Sequence, residues 1–255
     1  MAAGVVDAMN SESTPAGGLR DGRAGALVDL AIWLAALALL GIGGSVIARV
    51  ASKAGLWVWL LQLVPMAVLF LLSTWLLHRR GEGWRSVGLR APSSFRRVAA
   101  LVAAGYVGVV ALNAALMLLV LPKLGIAKPS FGPFAAMKGH PVIFAYWLVF
   151  AWISAALGEE LQFRGFVWSR LERLVGGGRN AAVPTLFAQA ALFGVCHYYQ
   201  GLAGILATGA AGLVLGVVYL AGRRNLVANM VLHGLVDTVS LTVLFLGLAP
   251  ATLGG

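Results

Sequence analysis

Acidic residues are scarce in this chain, with nine Asp and Glu against nineteen Lys and Arg in 255 residues. All charged residues together make up 11 % of it, where a soluble domain carries about 25 %. With 60 % hydrophobic residues and a mean hydropathy of +0.89, the chain lacks the polar groups to cover a water-facing surface. A soluble globular domain is excluded. Cysteine is nearly absent too, and the single Cys196 excludes a disulfide within the chain. No internal repeat is evident, and the HExxH signature of soluble metalloproteases is missing. The first 26 residues, rich in Gly, Ala, Ser and Asp, have no apolar core of the kind a signal peptide needs. They read as a disordered tail.

Long apolar runs are abundant. Seven stretches approach or exceed the ~20 residues that a spanning helix requires: roughly 27–48, 56–77, 98–121, 141–163, 181–199, 202–221 and 226–248. The Pro- and Gly-rich loop LPKLGIAKPSFGPF has room for an eighth short element. The expected fold is all-α and polytopic, with about seven or eight transmembrane helices enclosing an intramembrane cavity. Residues 27–140 form an N-terminal group of helices with a basic loop, and 141–248 form the second half.

The formal charge of +10 invites a nucleic-acid reading, but the distribution opposes it. Basic residues cluster between apolar runs, as in HRRGEGWRSVGLRAPSSFRR, which marks cytoplasmic loops facing anionic lipid. Alternating from that loop puts the N-terminus inside, together with Arg170, Arg173, Arg179, Arg223 and Arg224. Lys123, Lys128 and Lys138 fall outside and count against this orientation. No basic–aromatic surface of a nucleic-acid binder is present.

Three polar sets follow residue 150. In GEELQFRG, Glu160 and Arg164 are four apart and share a helix face, while Glu159 is turned about 100° away. Glu160 is expected to pair with Arg164, leaving Glu159 for chemistry. An interfacial charge cluster ending a span explains the same residues, although ionisable groups inside a membrane are functional candidates by default. In FGVCH, Phe193 and His197 are four apart. Alone, this histidine is equally a satisfied residue at a helix end, and YYQ beside it an aromatic belt. In NMVLHGLVD, the four-and-four spacing puts Asn229, His233 and Asp237 on one stripe of an apolar helix. Such a stripe turns inward, toward a cavity or as hydrogen-bonding glue between helices.

Depth gives a check. If the fourth helix runs on to the Gly176–Gly178 turn, Glu159 lies about 18 residues before that turn and His197 about 20 after it. In an antiparallel hairpin the two are level. His233 is only about nine residues past Arg224, several turns from that level. Either the fifth helix ends early and HYYQG dips inward, or a boundary is misplaced.

EExxxR, FxxxH and HxxxD, in that order on successive apolar spans, resemble the CPBP intramembrane proteases, the CAAX-protease and bacteriocin-processing (Abi) family. The resemblance covers about residues 141–245, including GEELQFRGF, ALFGVCH, GLVLGVVYLAGRRN and NMVLHGLVD. It implies a helical core around a cavity in which a peptide bond is hydrolysed. Eukaryotic members remove the last three residues of prenylated CAAX proteins, many bacterial members have other or unknown substrates, and some serve in bacteriocin immunity. It further implies that Glu159 is the catalytic glutamate and His197 the histidine that works with it on water. His233 and Asp237 match the pair that polarises the scissile carbonyl; Glu160 and Arg164 match supporting positions, joined here by Asn229 and Phe193. The implied partners are a peptide or prenylated-protein substrate and the lipid bilayer. The implied location is the bacterial inner (plasma) membrane.

Asparagine is common in the family where this chain has Asp237. A carboxylate donates to an oxyanion only when protonated, so Asp237 is either kept neutral, or orients His233 by accepting its N–H, or ligates a metal. Glu159, His197, His233 and Asp237 also make a plausible zinc set, so a glutamate mechanism without metal and a zinc mechanism both stand. Two readings from other classes remain, a proton-coupled carrier and a non-proteolytic immunity or scaffold protein.

Overall fold

The computed structural model describes residues 20–54, 60–129 and 131–248. The expected tail lies outside these as far as residue 19, and so do residues 56–59 of the second expected span. Among the described residues there is no strand. The helices are α1 (Arg20–Ala54), α2 (Val64–His78), α3 (Phe95–Val120), α4 (Pro141–Leu174), α5 (Ala182–Val195), α6 (Gly201–Ala221) and α7 (Val227–Phe245). Six segments are long and apolar enough to cross a membrane, α2 together with the 3-10 turn before it as Leu61–His78. The exception is α5, whose 14 residues span about 21 Å at 1.5 Å each, short of a ~30 Å hydrocarbon core. The chain is an all-helical integral membrane protein, and the expected eighth element in the loop before α4 is a 3-10 stretch, Gly132–Met137.

Start signals are legible where they occur. Ser94 caps α3 by accepting from the Arg97 N–H, and Pro141 opens α4 where a missing N–H costs nothing. The 34-residue α4 is unusual inside. Ala151–Glu159 and Leu161–Val167 are wound with the wider π pitch, between α-helical ends. Such widened turns occur mostly at functional sites.

The core gathers around α4. Trp33 of α1, Leu76 and Leu77 of α2, and Phe163, Phe166 and Val167 of α4 form one apolar cluster with Phe193 of α5. A second layer, Leu161, Trp168, Tyr219 and Leu226, seals the end of the bundle nearest the arginine-rich loops. Between α5 and α6 the packing is backbone to backbone, since a Cβ on Gly194 would stand 2.5 Å from the Ile205 carbonyl oxygen. Association in lipid depends on such close approach rather than on hydrophobic burial.

Three arginine-rich segments meet at one end. Arg90 donates to the Arg223 carbonyl and Arg97 to that of Ala221. Arg224 pairs with Glu172, and Glu82 with Arg170 and Arg173. The loop before α3, the end of α4 and the α6–α7 turn therefore lie on one side of the bundle. Beneath them Asp29 of α1, 1 % exposed, accepts from Arg79 (2.5 Å), Arg80 (3.2 Å) and the buried Arg170 (3.0 Å).

Candidate active site

The site is built from α4, α5 and α7. Glu160 and Arg164 are both fully buried and joined at 2.8 Å, as their spacing of four predicts. Burying two charges is costly unless the remaining hydrogen-bonding capacity is used. Arg164 uses its second terminal nitrogen on the Gly212 carbonyl of α6 (3.2 Å), which also accepts from Gln189 of α5 (3.0 Å). Its guanidinium lies 4.4 Å from the Phe193 ring centroid, a cation–π contact that favours the charge further.

The same Glu160 Oε1 that binds Arg164 also accepts from His233 Nδ1, at 2.8 Å. That bond fixes the ring of His233 and turns its Nε2 outward, where Asp237 Oδ2 lies at 3.7 Å and Glu159 Oε2 at 4.0 Å. The orienting acceptor for His233 is thus Glu160, with Asp237 beyond hydrogen-bond range. Exposure rises along this line, from 0 % for the Glu160 side chain to 9 % for His233, 21 % for Glu159 and 30 % for Asp237. Glu160 anchors the interior end, and Glu159 and Asp237 border an opening. Glu159 Oε2 is itself buried and has no hydrogen-bond partner among the described residues.

His197 follows the early end of α5. Its Nδ1–H donates to the Phe193 carbonyl (2.8 Å), since a carbonyl only accepts, and Nε2 is left as the acceptor. Phe193 stands between the histidines, its ring 5.0 Å from His197 and 6.0 Å from His233. The depth mismatch between His197 and His233 has its physical reason here. The fifth helix stops at Val195, four residues before the expected 199, and a 3-10 turn Tyr198–Gln200 follows. Both imidazoles thereby flank one phenyl ring. Asn229 donates to the Leu215 carbonyl (2.7 Å), tying α7 to α6, and adjoins the Glu160 carboxylate.

Other contributors escaped the sequence reading. Gln162, fully buried, accepts at one oxygen from Trp33 Nε1 (2.7 Å) and Ser73 Oγ (2.6 Å), fastening α1 and α2 to α4 three residues past Glu159. Its signal was a lone uncharged polar residue inside the motif itself. Tyr199 lies with its ring 5.9 Å from His197, over the same opening. Asp29 had a signal as well, one acid in an apolar run. Among the described residues no group of three or more His, Cys, Asp or Glu is arranged to hold a metal ion.

Fold and site together define a helical membrane protein with a carboxylate–imidazole centre inside the bundle. Residues 141–239 match the family model of Rce1-like proteins, type II CAAX prenyl endopeptidases. Over that stretch the chain is similar to the CPBP, or CAAX-protease, family of membrane proteases. No curated protein and no solved structure matches the chain.

Proposed function

We propose that the protein is an intramembrane endopeptidase in which Glu159 activates the water that attacks a peptide bond. The observation that carries this reading is the Glu159 Oε2 atom, buried, without a partner, and facing His233 Nε2 at 4.0 Å. A carboxylate left open beside an imidazole is placed for general-base work. His197, with Nδ1–H held by the Phe193 carbonyl, presents Nε2 to accept the proton that Glu159 draws from the water and to pass it to the leaving amine. His233 acts as an imidazolium, with Nδ1–H donated to Glu160 and Nε2–H presented to the tetrahedral oxyanion, and such a donor contributes about 3–4 kcal/mol. Glu160 balances that charge, and Asp237 adds a second carboxylate near Nε2.

The proposed substrate is a membrane-associated or lipidated polypeptide cut near its C-terminus. The gathering of three arginine-rich segments at one end supports a cytoplasmic assignment for that end, with the N-terminus on the same side. A bacterial inner membrane is the proposed location.

The test is cleavage of a mixed library of prenylated and unmodified quenched peptides by the reconstituted protein, with and without a chelator. Cleavage of a peptide, insensitive to chelation, is the expected result. Loss on chelation with recovery on adding zinc would move Glu159, His197, His233 and Asp237 into a metal site. Proton-coupled uptake with no peptide product would replace the reading with a carrier.

A further inference from the structure

Two cavities open at the arginine-rich end, beyond the Trp168–Tyr219–Leu226 layer that closes the catalytic site, and they differ in kind. The larger, about 870 Å³, includes Glu82 and Glu172, which already pair with the arginines beside them, Arg173 and Arg224. The smaller, about 240 Å³, is walled by Arg90, Arg97 and Arg223 with Ser93 and Ser94, and contains no acidic residue.

Three arginines border this small space, and like charges brought together repel one another unless an anion lies among them. They are also held in place. Arg90 and Arg97 each use one terminal nitrogen on a carbonyl of the α6–α7 turn, at 2.8 and 2.6 Å, which fixes the fork and leaves other N–H groups for a ligand. Arg223 enters the wall from a turn in which it and Arg224 take left-handed φ values of 56° and 58°. Its side chain makes no hydrogen bond or ion pair among the described residues, so its charge is unbalanced. The positive end of α3, capped by Ser94, adds to the field. A rigid guanidinium fork matches two phosphate oxygens at once.

The cavity's depth narrows the class of ligand. It lies where three spans end, at Phe95, Ala221 and Val227, which is headgroup level for a chain crossing the bilayer on those helices. We propose that this cavity is a binding site for a phosphate ester, supplied at that depth by the headgroup of an anionic phospholipid. An occupant bridges the start of α3 to the α6–α7 turn. It thereby steadies the base of α7, six residues before His233. The inference does not depend on which reaction the chain performs.

The test uses the purified full chain in detergent and native mass spectrometry, titrating phosphatidylglycerol and, in parallel, phosphatidylcholine. Arg223→Asn removes the unbalanced charge while keeping a residue that accepts a left-handed φ, so folding is preserved. Arg96→Gln removes an exposed charge outside the cavity and serves as the control. Phosphatidylglycerol is expected to bind in preference to phosphatidylcholine, with affinity about fivefold lower in Arg223→Asn and unchanged in Arg96→Gln. Displacement of the lipid by millimolar inorganic phosphate would keep the site and name a soluble phosphate as its source. Equal binding of the two lipids, an unaffected Arg223→Asn, or an equal loss in Arg96→Gln would overturn the proposal.

Discussion

Glu159 and Glu160 are neighbours in sequence with opposite surroundings, and the contrast makes two predictions at the scale of single residues. Glu160 accepts from Arg164 and His233 with no solvent contact. Glu160→Gln leaves Arg164 as a buried cation without its carboxylate, a loss expected to cost about 3–5 kcal/mol. Thermal unfolding in detergent should therefore show a clear fall in Tm; an unchanged Tm would contradict the structural role of the pair. Glu159→Gln removes no hydrogen bond made among the described residues. Its Tm should match the parent, while peptide cleavage falls by about 10²–10⁴-fold. The split between the two glutamates was legible in the sequence, because a spacing of four fixes Glu160 against Arg164 on any helical turn near 3.6 residues. The bond from Glu160 to His233 was not. It joins residues 73 apart, and only the packing of α7 on α4 creates it.

At the scale of elements, the glycines decide how close helices come. Gly194 admits the backbone of α6 at a distance that leaves no room for a side chain. Gly194→Val is expected to push α5 from α6, moving Phe193 and His197 with it. Activity should fall much more than it does for Ala188→Val on the exposed face of the same helix. Equal activity in the two variants would show that the close approach is not needed. Helix existence was readable from apolar run lengths, and all seven expected spans have a helix. Their ends and internal pitch were less so. Nothing in HPVIFAYWLVFAWISAALGEE, which has no proline past its first turn, announces the widened turns of α4. The early stop of α5 hides inside an unbroken apolar stretch, because Val195, Cys196 and Tyr198 all suit a membrane helix. Hydropathy measures the partition of a segment into lipid, and it does not register where its turns cease.

At the scale of the whole molecule, the arginine-rich end is an ionic floor beneath the bundle. Asp29 links α1 to α2's end and to α4 through three arginines. Asp29→Asn leaves Arg170 buried without that carboxylate, so a drop in Tm is expected that Lys123→Gln, at an exposed position past α3, should not cause. Similar melting of the two variants would rule out the tie between α1 and α4. The floor also gives an orientation to measure. With Cys196 replaced by serine, single cysteines at Arg85 and Arg96 should react with a membrane-impermeant maleimide only after the cytoplasmic side is exposed. One at Lys123 should react from the opposite side. Labelling of all three from one side would contradict the topology. Charge distribution grouped these basic loops on one side in advance, whereas their pairing pattern draws on four separate segments and emerges only on folding.

The central claim is that Glu159 performs the chemistry while Glu160 holds the site. Its most direct test is the cleavage rate of one identified peptide by the parent, Glu159→Gln and Glu159→Asp proteins, each matched for Tm and assayed in chelator. Near-complete loss in Glu159→Gln, partial activity in Glu159→Asp and no effect of the chelator on the parent are the expected results. A folded Glu159→Gln protein that cleaves at the parental rate would contradict it.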